Sequence, residues 1–495
     1  MELSWLENFL QNKRTVWIAA GVTIFLFLIA NLPWQLDDYD QAKQAFTSFE
    51  MIKEGRWFYQ QTPHQHVATK PPLVGWISAG LFTLTRSWDV AWRLPSLLAA
   101  MALSILLFRS AGSAYGSIAG LIGLGAFGLN LLSPRLATLS RTDMPLALVI
   151  FLIGSLIWRK IQKEEAWKPR DRVYTFALLT AAMLIKGPIV YAFLLPGMGV
   201  FEWWRKSQGT PAWCGWWPWV TSLAIFLLWV TGGILFQPGF FNEVVIREFA
   251  ARFAETVHRP QPLYFYLPHV LHKFAPWSVL MIVLAIADLR SRKCPAGAGS
   301  VFREMSPATF WLLCWSLGGL VAMSLIPSKR VDRIFPVVPP LCLLLAAQIS
   351  GRDAALRRPV GAARRPYLWV VIALLVSILF TSGYTISKVF AGYRDHRDAL
   401  AVFGRDVRHQ AEMHHWRYEV VSAKDEALLL YLRKTYFIER DQAVAEWNGG
   451  NLDALVASRA KASALMRELR DAALSQLKSN QRREEQGRAY VLITR

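Results

Sequence analysis

Five short polar sets stand out in an otherwise apolar chain, because each places charge where charge is expensive. The first is Asp37, Asp38 and Asp40, followed by Lys43, directly after a long apolar run. Carboxylates packed this closely suit a solvated helix start, where acids meet the positive end of the helix dipole. They equally suit a base that deprotonates an acceptor group, or a holder of a cation. The second set is Lys70-Pro71-Pro72, an ammonium locked ahead of two prolines and suited to holding a phosphate. The third is Arg141-Thr142-Asp143-Met144-Pro145, and the fourth is Lys186-Gly187-Pro188 between two apolar runs. The fifth runs from Ser328-Lys329-Arg330 through Asp332 and Arg333. Snorkelling side chains account for any one of these sets. All five on one face describe a basic, carboxylate-bearing cavity at a membrane–water boundary, fit for an amphiphile with an anionic head group. His258, in Val257-His258-Arg259-Pro260, and Tyr264 and Tyr266 lie in a further loop on that face. A lone histidine in such a loop is more often structural than catalytic.

The elements that must hold these residues are membrane helices. Hydrophobic residues make up 54% of the 495-residue chain and charged residues only 18%. Runs near Thr15–Pro33, Trp217–Leu235, Leu267–Ala287, Ser306–Ile326 and Leu368–Tyr384 each approach the ~20 apolar residues that cross a hydrocarbon core. The first has Lys13 and Arg14 on its flank and no small-residue cleavage site after it, so it reads as an anchor. The formal net charge of +20 would suggest nucleic acid in a soluble protein. Here the cations concentrate in short loops, at Arg159–Arg172, Arg205–Lys206, Arg290–Arg303 and Arg352–Arg365, which marks those loops as cytoplasmic. No nucleic-acid partner is expected. With Lys13 and Arg14 also inside, all five polar sets face outward. The count closes only if one of the two apolar segments near 71–85 and 94–108 fails to cross. The first is short and begins Pro71-Pro72, so it is predicted to lie at the interface, leaving about eleven spanning helices.

Residues 1–387 are therefore predicted to form a transmembrane domain and residues 388–495 a small α/β domain outside the membrane. The second piece is polar, with strand-like runs at Tyr418–Ser422, Thr435–Ile438 and Tyr490–Thr494, and helix-like runs at Asp425–Lys434 and Asp453–Lys478. It carries no glycine-rich nucleotide loop and no site that its residues define. Cys214, Cys294, Cys314 and Cys342 show no metal-ligand spacing and read as inert.

The order of the motifs resembles a known family. An acidic motif follows the first helix, with a Gly-x-Trp (Gly55, Trp57) about fifteen residues later and then Lys70-Pro71-Pro72-Leu73. Thr142-Asp143-Met144-Pro145, Lys186-Gly187-Pro188 and a late Lys329 before a proline-containing helix complete the series. This resembles the bacterial lipid A aminoarabinose transferases and their protein O-mannosyltransferase relatives over residues 10–385. The resemblance implies a GT-C fold in a bacterial inner membrane, with the C-terminal domain in the periplasm. It implies transfer of a sugar, with inversion, from a polyprenyl-phosphate carrier to a lipid A-like lipid, a glycan or a protein. Carried over by position, Asp40 is the expected base and Asp143 a second catalytic carboxylate. Lys70, Lys186 and Lys329, with Arg141 and Arg330, are expected on the donor phosphate. Asp37, Asp38, Lys43, His258 and Tyr264 are expected around sugar or acceptor. No cofactor is required, and a divalent cation between Asp40 and Asp143 is permitted. Gln41 stands where the family has Glu, Lys43 where it has Arg, and Thr69 where the aminoarabinose transferases have the Glu of Glu-Lys-Pro. Two other classes fit the same cavity. One is a transporter or flippase of anionic lipid-linked sugars, although the polar residues cluster at one face rather than the midplane. The other is an O-antigen ligase-like enzyme with a diphosphate-linked donor.

Overall fold

A computed structural model describes residues 2–36, 39–64, 66–205, 209–252, 261–291, 305–350, 365–421, 423, 425–477 and 489–495. The chain divides into two compact units, one of residues 1–30, 93–236 and 245–386, the other of residues 31–92, 237–244 and 387–495. This is not the linear division into 1–387 and 388–495. Residues 31–92 leave the first helix and build a hydrophobic core with the C-terminal region, in which Phe46, Phe49, Trp88 and Trp92 pack with Leu428, Leu430, Val420 and Leu492. The Leu36 amide donates to the Tyr431 hydroxyl at 2.7 Å, and the Leu400 amide to Gln35 Oε1 at 3.2 Å. A polar loop of this length carries enough aromatic surface to need a core of its own. Composition alone did not show which core that was.

The first unit is a helical membrane assembly. Among the described residues six helices are long and apolar enough to cross a bilayer: Leu94–Tyr115, Asp143–Lys163, Trp217–Phe236, Pro307–Leu325, Val331–Ser350 and Tyr367–Arg394. Burial sorts them. The apolar windows of Asp143–Lys163 and Val331–Ser350 are each 78% buried, whereas that of Trp217–Phe236 is 28% buried. Leu228, Leu235 and Phe236 are each more than 70% exposed, a surface that only lipid makes harmless. The run at Leu267–Ala287 is not a single straight span. Leu263–Lys273 and Trp277–Ala287 meet at 100°, because Pro276 cannot donate to the helix ladder and drives the residue before it out of the α region. That bend is tied down by the Trp277 indole donating to the Leu129 carbonyl at 3.0 Å and by the Leu131 amide donating to the Lys273 carbonyl at 3.0 Å.

Helices Ile189–Arg205 and Pro307–Leu325 approach at their backbones. A Cβ on Gly318 would stand 2.5 Å from the Gly197 nitrogen, and one on Gly197 would stand 2.6 Å from the Cys314 carbonyl oxygen. Only glycine permits that approach, which gains dispersion contact where lipid offers no hydrophobic drive. Gly154 plays the same part against the Trp315 ring, and its carbonyl accepts from the Trp311 indole at 3.0 Å.

The second unit holds helices Tyr39–Glu54, Leu73–Thr85, Ala399–Met413 and Glu426–Leu432 and a four-stranded sheet of order β1-β2-β4-β3. Strand β1 (Tyr418–Val420) runs parallel to β2 (Ala454–Ser458), which pairs antiparallel with β4 (Tyr490–Thr494), and β4 pairs antiparallel with β3 (Ala473–Leu474). The sequence predicts helix over 453–478. Instead Ala454–Ser458 is one of the two interior strands, and helix begins only at Arg459. Ala454, Leu455, Val456 and Ala457 are all buried, so burial on both faces erased the alternation that would have marked a strand. Thr435–Ile438 is likewise no strand, and only a bridge between Val421 and Ile438 forms there. Leu73–Thr85 is a short apolar helix of 13 residues.

Candidate active site

Helices Asp143–Lys163 and Pro169–Lys186 form an antiparallel hairpin, so the first residue of one and the last of the other share an end. Asp143 stands at a helix N-terminus and Lys186 at a C-terminus, where each complements the helix dipole. The Lys186 ammonium donates to Asp143 Oδ1, and their side chains are 15% and 9% exposed. Gly187, with φ of 74°, caps that helix through its amide to the Met183 carbonyl and turns the chain into helix Ile189–Arg205. Lys-Gly-Pro is therefore a helix stop, a turn and a helix start, with the lysine held at the junction.

Just ahead of Asp143, Arg141 is 5% exposed and donates through Nη1 to Asp332 Oδ2 at 2.5 Å. Arg135 approaches the other Asp332 oxygen at 3.8 Å. The Ser96 hydroxyl donates to the Leu139 carbonyl at 2.7 Å and fixes the loop that carries these residues. Lys329 is 8% exposed, and its ammonium donates to the Gln261 carbonyl at 2.9 Å. Among the described residues no carboxylate pairs with it, and burial lowers its pKa from the ordinary lysine value. Arg333 donates to the Ser328 carbonyl at 2.8 Å, and the Arg330 amide donates to the Tyr266 hydroxyl at 3.4 Å. That hydroxyl lies within electrostatic reach of Asp143 and Arg333, which joins the two ion pairs and the Lys329 strap into one cluster. Arg141, Asp143, Lys186, Lys329 and Arg330 are thus brought together within one unit. Cations outnumber carboxylates there, which suits an anion. Asp332 is the member whose role the sequence left unassigned, although its spacing to Arg333 and Lys329 had marked the segment.

The second unit carries Asp40, Lys43 and Lys70. Asp40 lies in the first turn of helix Tyr39–Glu54, half-buried, with Lys43 one turn on. Lys70 is half-buried ahead of Pro71, and among the described residues its side chain has no hydrogen-bond or ion-pair partner. Tyr264, of the first unit, is 69% exposed. Asp37, Asp38 and His258 lie outside the described residues.

Sequence reasoning missed two buried acids in this unit. Glu50 accepts from Arg56 at 2.8 Å and from the Gln61 amide at 2.5 Å, which clamps the 56–68 loop against its helix. Burial nevertheless pushes its carboxyl up to about 7, against the pull of Gln61 and Arg56. Glu426 is 6% exposed, within electrostatic reach of Lys43, and burial pushes it up to about 7 as well. An acid on an otherwise apolar helix face was the available signal for both. For each, the folded pKa exceeds the unfolded value of ~4.3, so the unfolded chain ionises first. Stability is then whole below pH ~4, falls as pH rises towards 7, and is flat above. Glu426→Gln should remove one such slope and stabilise this unit by about 3 kcal/mol at pH 8. Hydrogen exchange at the amides of Ala454–Ser458, followed from pH 5 to pH 8 in both proteins, measures it; parallel curves would count against a buried, proton-binding Glu426.

Among the described residues no three of His, Cys, Asp and Glu gather in a way that could hold a metal ion. Asp143 is held by Lys186 instead. Cys214, Cys314 and Cys342 are buried free thiols.

The architecture matches known structures along almost its whole length. ArnT of Cupriavidus metallidurans bound to undecaprenyl phosphate superposes with a TM-score of 0.65, covering 97% of each chain at 18% identity. The apo oligosaccharyltransferase of Archaeoglobus fulgidus gives 0.55, over 93% of this chain and 71% of that one at 12% identity. The chain therefore shares the fold of these membrane proteins. A family model described as dolichyl-phosphate-mannose-protein mannosyltransferase matches residues 69–234. In sequence, the chain is similar to undecaprenyl phosphate-alpha-4-amino-4-deoxy-L-arabinose arabinosyl transferases. That of Shewanella sediminis is 23% identical over 380 residues, 75% of this chain and 67% of that protein. That of Pectobacterium carotovorum is 24% identical over 359 residues, 71% of this chain and 61% of that protein. The chain therefore spans about three fifths to two thirds of these relatives' own lengths.

Proposed function

We propose that this protein transfers a sugar from a polyprenyl-phosphate carrier, of the undecaprenyl kind, to a lipid or glycan acceptor at the periplasmic face of a bacterial inner membrane. The observation that carries the reading is Lys329, a buried ammonium bonded to a carbonyl and paired with no carboxylate among the described residues, beside the Lys186–Asp143 pair. Such a charge is costly without an anion, and a phosphate monoester dianion is the anion that a leaving carrier becomes.

The acceptor oxygen attacks the anomeric carbon as the bond from that carbon to the carrier phosphate breaks. The electron pair leaves on the phosphate oxygen, and the acceptor proton passes to Asp40. Lys186 and Lys329 stabilise charge that grows on the phosphate only as the bond breaks, which is where fixed cations are most effective. Asp143 orients Lys186, and Arg141 is a positioning residue tied to Asp332. Lys70 is assigned to the same phosphate from its motif. Fixed cations make a metal unnecessary in this reading.

The topology belongs to the same proposal. The six long helices, the bent pair and four shorter or more polar helices, Lys13–Ile29, Ser117–Gly128, Pro169–Lys186 and Ile189–Arg205, make eleven crossings. The polar region after the last crossing then lies in the periplasm. Purified protein in nanodiscs, given a panel of undecaprenyl-phosphate sugars with and without an envelope acceptor fraction, tests the activity. Release of undecaprenyl phosphate should depend on acceptor, persist in EDTA and fall by about 10²-fold in Asp40→Asn. Acceptor-independent movement of the intact donor would indicate a transporter, and full activity in Asp40→Asn would remove Asp40 as the base.

A further inference from the structure

The opposite end of the Asp143–Lys163 and Pro169–Lys186 hairpin holds a cavity of about 360 Å³. It is lined by Arg159, Lys160, Lys163, Lys168 and Arg170, against which stand only Glu165 and Asp171. Lys160 is 5% exposed and holds both acids, donating to Glu165 at 3.1 Å and reaching Asp171 at 2.7 Å, while Lys163 lies 3.9 Å from the other Glu165 oxygen. Asp171 also accepts from the Lys168 amide at 3.0 Å, closing the start of its helix, and the Trp167 indole ties the turn to the Pro211 carbonyl at 2.9 Å. The acids are thus spent on the frame, and Arg159, Lys163, Lys168 and Arg170 surround the opening as exposed cations.

We propose that this cavity binds the phosphodiester head group of an anionic phospholipid from the cytoplasmic leaflet, a lipid with two phosphodiesters such as cardiolipin best of all. A topology signal needs only positive charge near a helix end. It needs neither a concavity nor a buried lysine pinned between two acids. A rigid frame with four cations round a recess is preorganised for an anion, and it lies in unit one at the hairpin end away from Lys186. The surface potential of the cytoplasmic leaflet brings such lipids to the site, each Lys or Arg contributing about fivefold in affinity.

Native mass spectrometry of the detergent-purified full chain tests this with cardiolipin, phosphatidylglycerol, phosphatidylethanolamine and inorganic phosphate as probes. Cardiolipin should be retained over phosphatidylethanolamine. The variant Lys163→Gln/Lys168→Gln should lose about 25-fold in cardiolipin retention, and Lys163→Arg/Lys168→Arg should keep it. Both positions are exposed, so the glutamine variant should fold, and the arginine variant provides the folded control. Equal retention of phosphatidylethanolamine, unchanged retention in the glutamine variant, or displacement of cardiolipin by millimolar inorganic phosphate would each overturn the proposal. The last outcome would assign a free-anion site instead. None of these readouts depends on sugar transfer.

Discussion

Lys186→Met should lower acceptor-dependent release of carrier phosphate by about 10²–10³-fold, the loss that follows removal of one preorganised donor to a developing oxyanion. The residue stands at a helix end, its ammonium is held by Asp143, and Gly187 and Pro188 leave the backbone no freedom to redirect it. The loss should appear in kcat more than in KM, because the charge it meets grows in the transition state. Lys186→Met alone leaves Asp143 buried and uncompensated, so part of any loss might be blamed on unfolding. Lys186→Met/Asp143→Leu removes both charges and should recover thermal stability without recovering activity. Recovery of activity in the double variant would show that the pair serves packing alone.

The second large effect is on stability. Asp332→Asn should destabilise the membrane unit by about 3–5 kcal/mol, since it strands the Arg141 guanidinium in a site that is 5% exposed. In a thermal melt that amounts to roughly 10 °C. Arg141→Leu/Asp332→Leu should be much milder, because the two charges leave together. A double variant as unstable as Asp332→Asn would mean that shape rather than charge pairing holds the loop. The same comparison bears on Arg141, which the sequence places on the donor phosphate and the structure pairs with Asp332.

What the sequence revealed and what it concealed divide along physical lines. The outer polar sets were legible because charge in an apolar chain is conspicuous, and Asp143 with Lys186 needed only the antiparallel hairpin to meet. The bend at Pro276 was visible as a proline, but its angle depends on ties to Leu129 and Leu131, far away in sequence. The strand Ala454–Ser458 was hidden because Ala-Leu-Val-Ala buried on both faces has the composition of a helix and no alternation. Glu50 and Glu426 were passed over because a single acid within an apolar stretch looks like a solvated edge until its neighbours are known. The core shared by residues 31–92 and the C-terminal region was beyond any local reading, since loop length carries no record of its packing partner.

The backbone contact between Gly197 and Gly318 has a bearing on how this protein can change over time. Helix Ile189–Arg205 begins three residues after Lys186, and helix Pro307–Leu325 ends four residues before Lys329. The contact sits roughly 10–12 Å along each helix from those ends. It therefore acts as the fulcrum of a caliper whose tips carry the two ammonium groups, and no side chain lies in the fulcrum to wear or be exchanged. Residues on the lipid-facing surfaces are free to drift without altering the gap. A change of glycine at either position alters it at once, so the spacing of the two ammonium groups is inherited through two atoms that are not there.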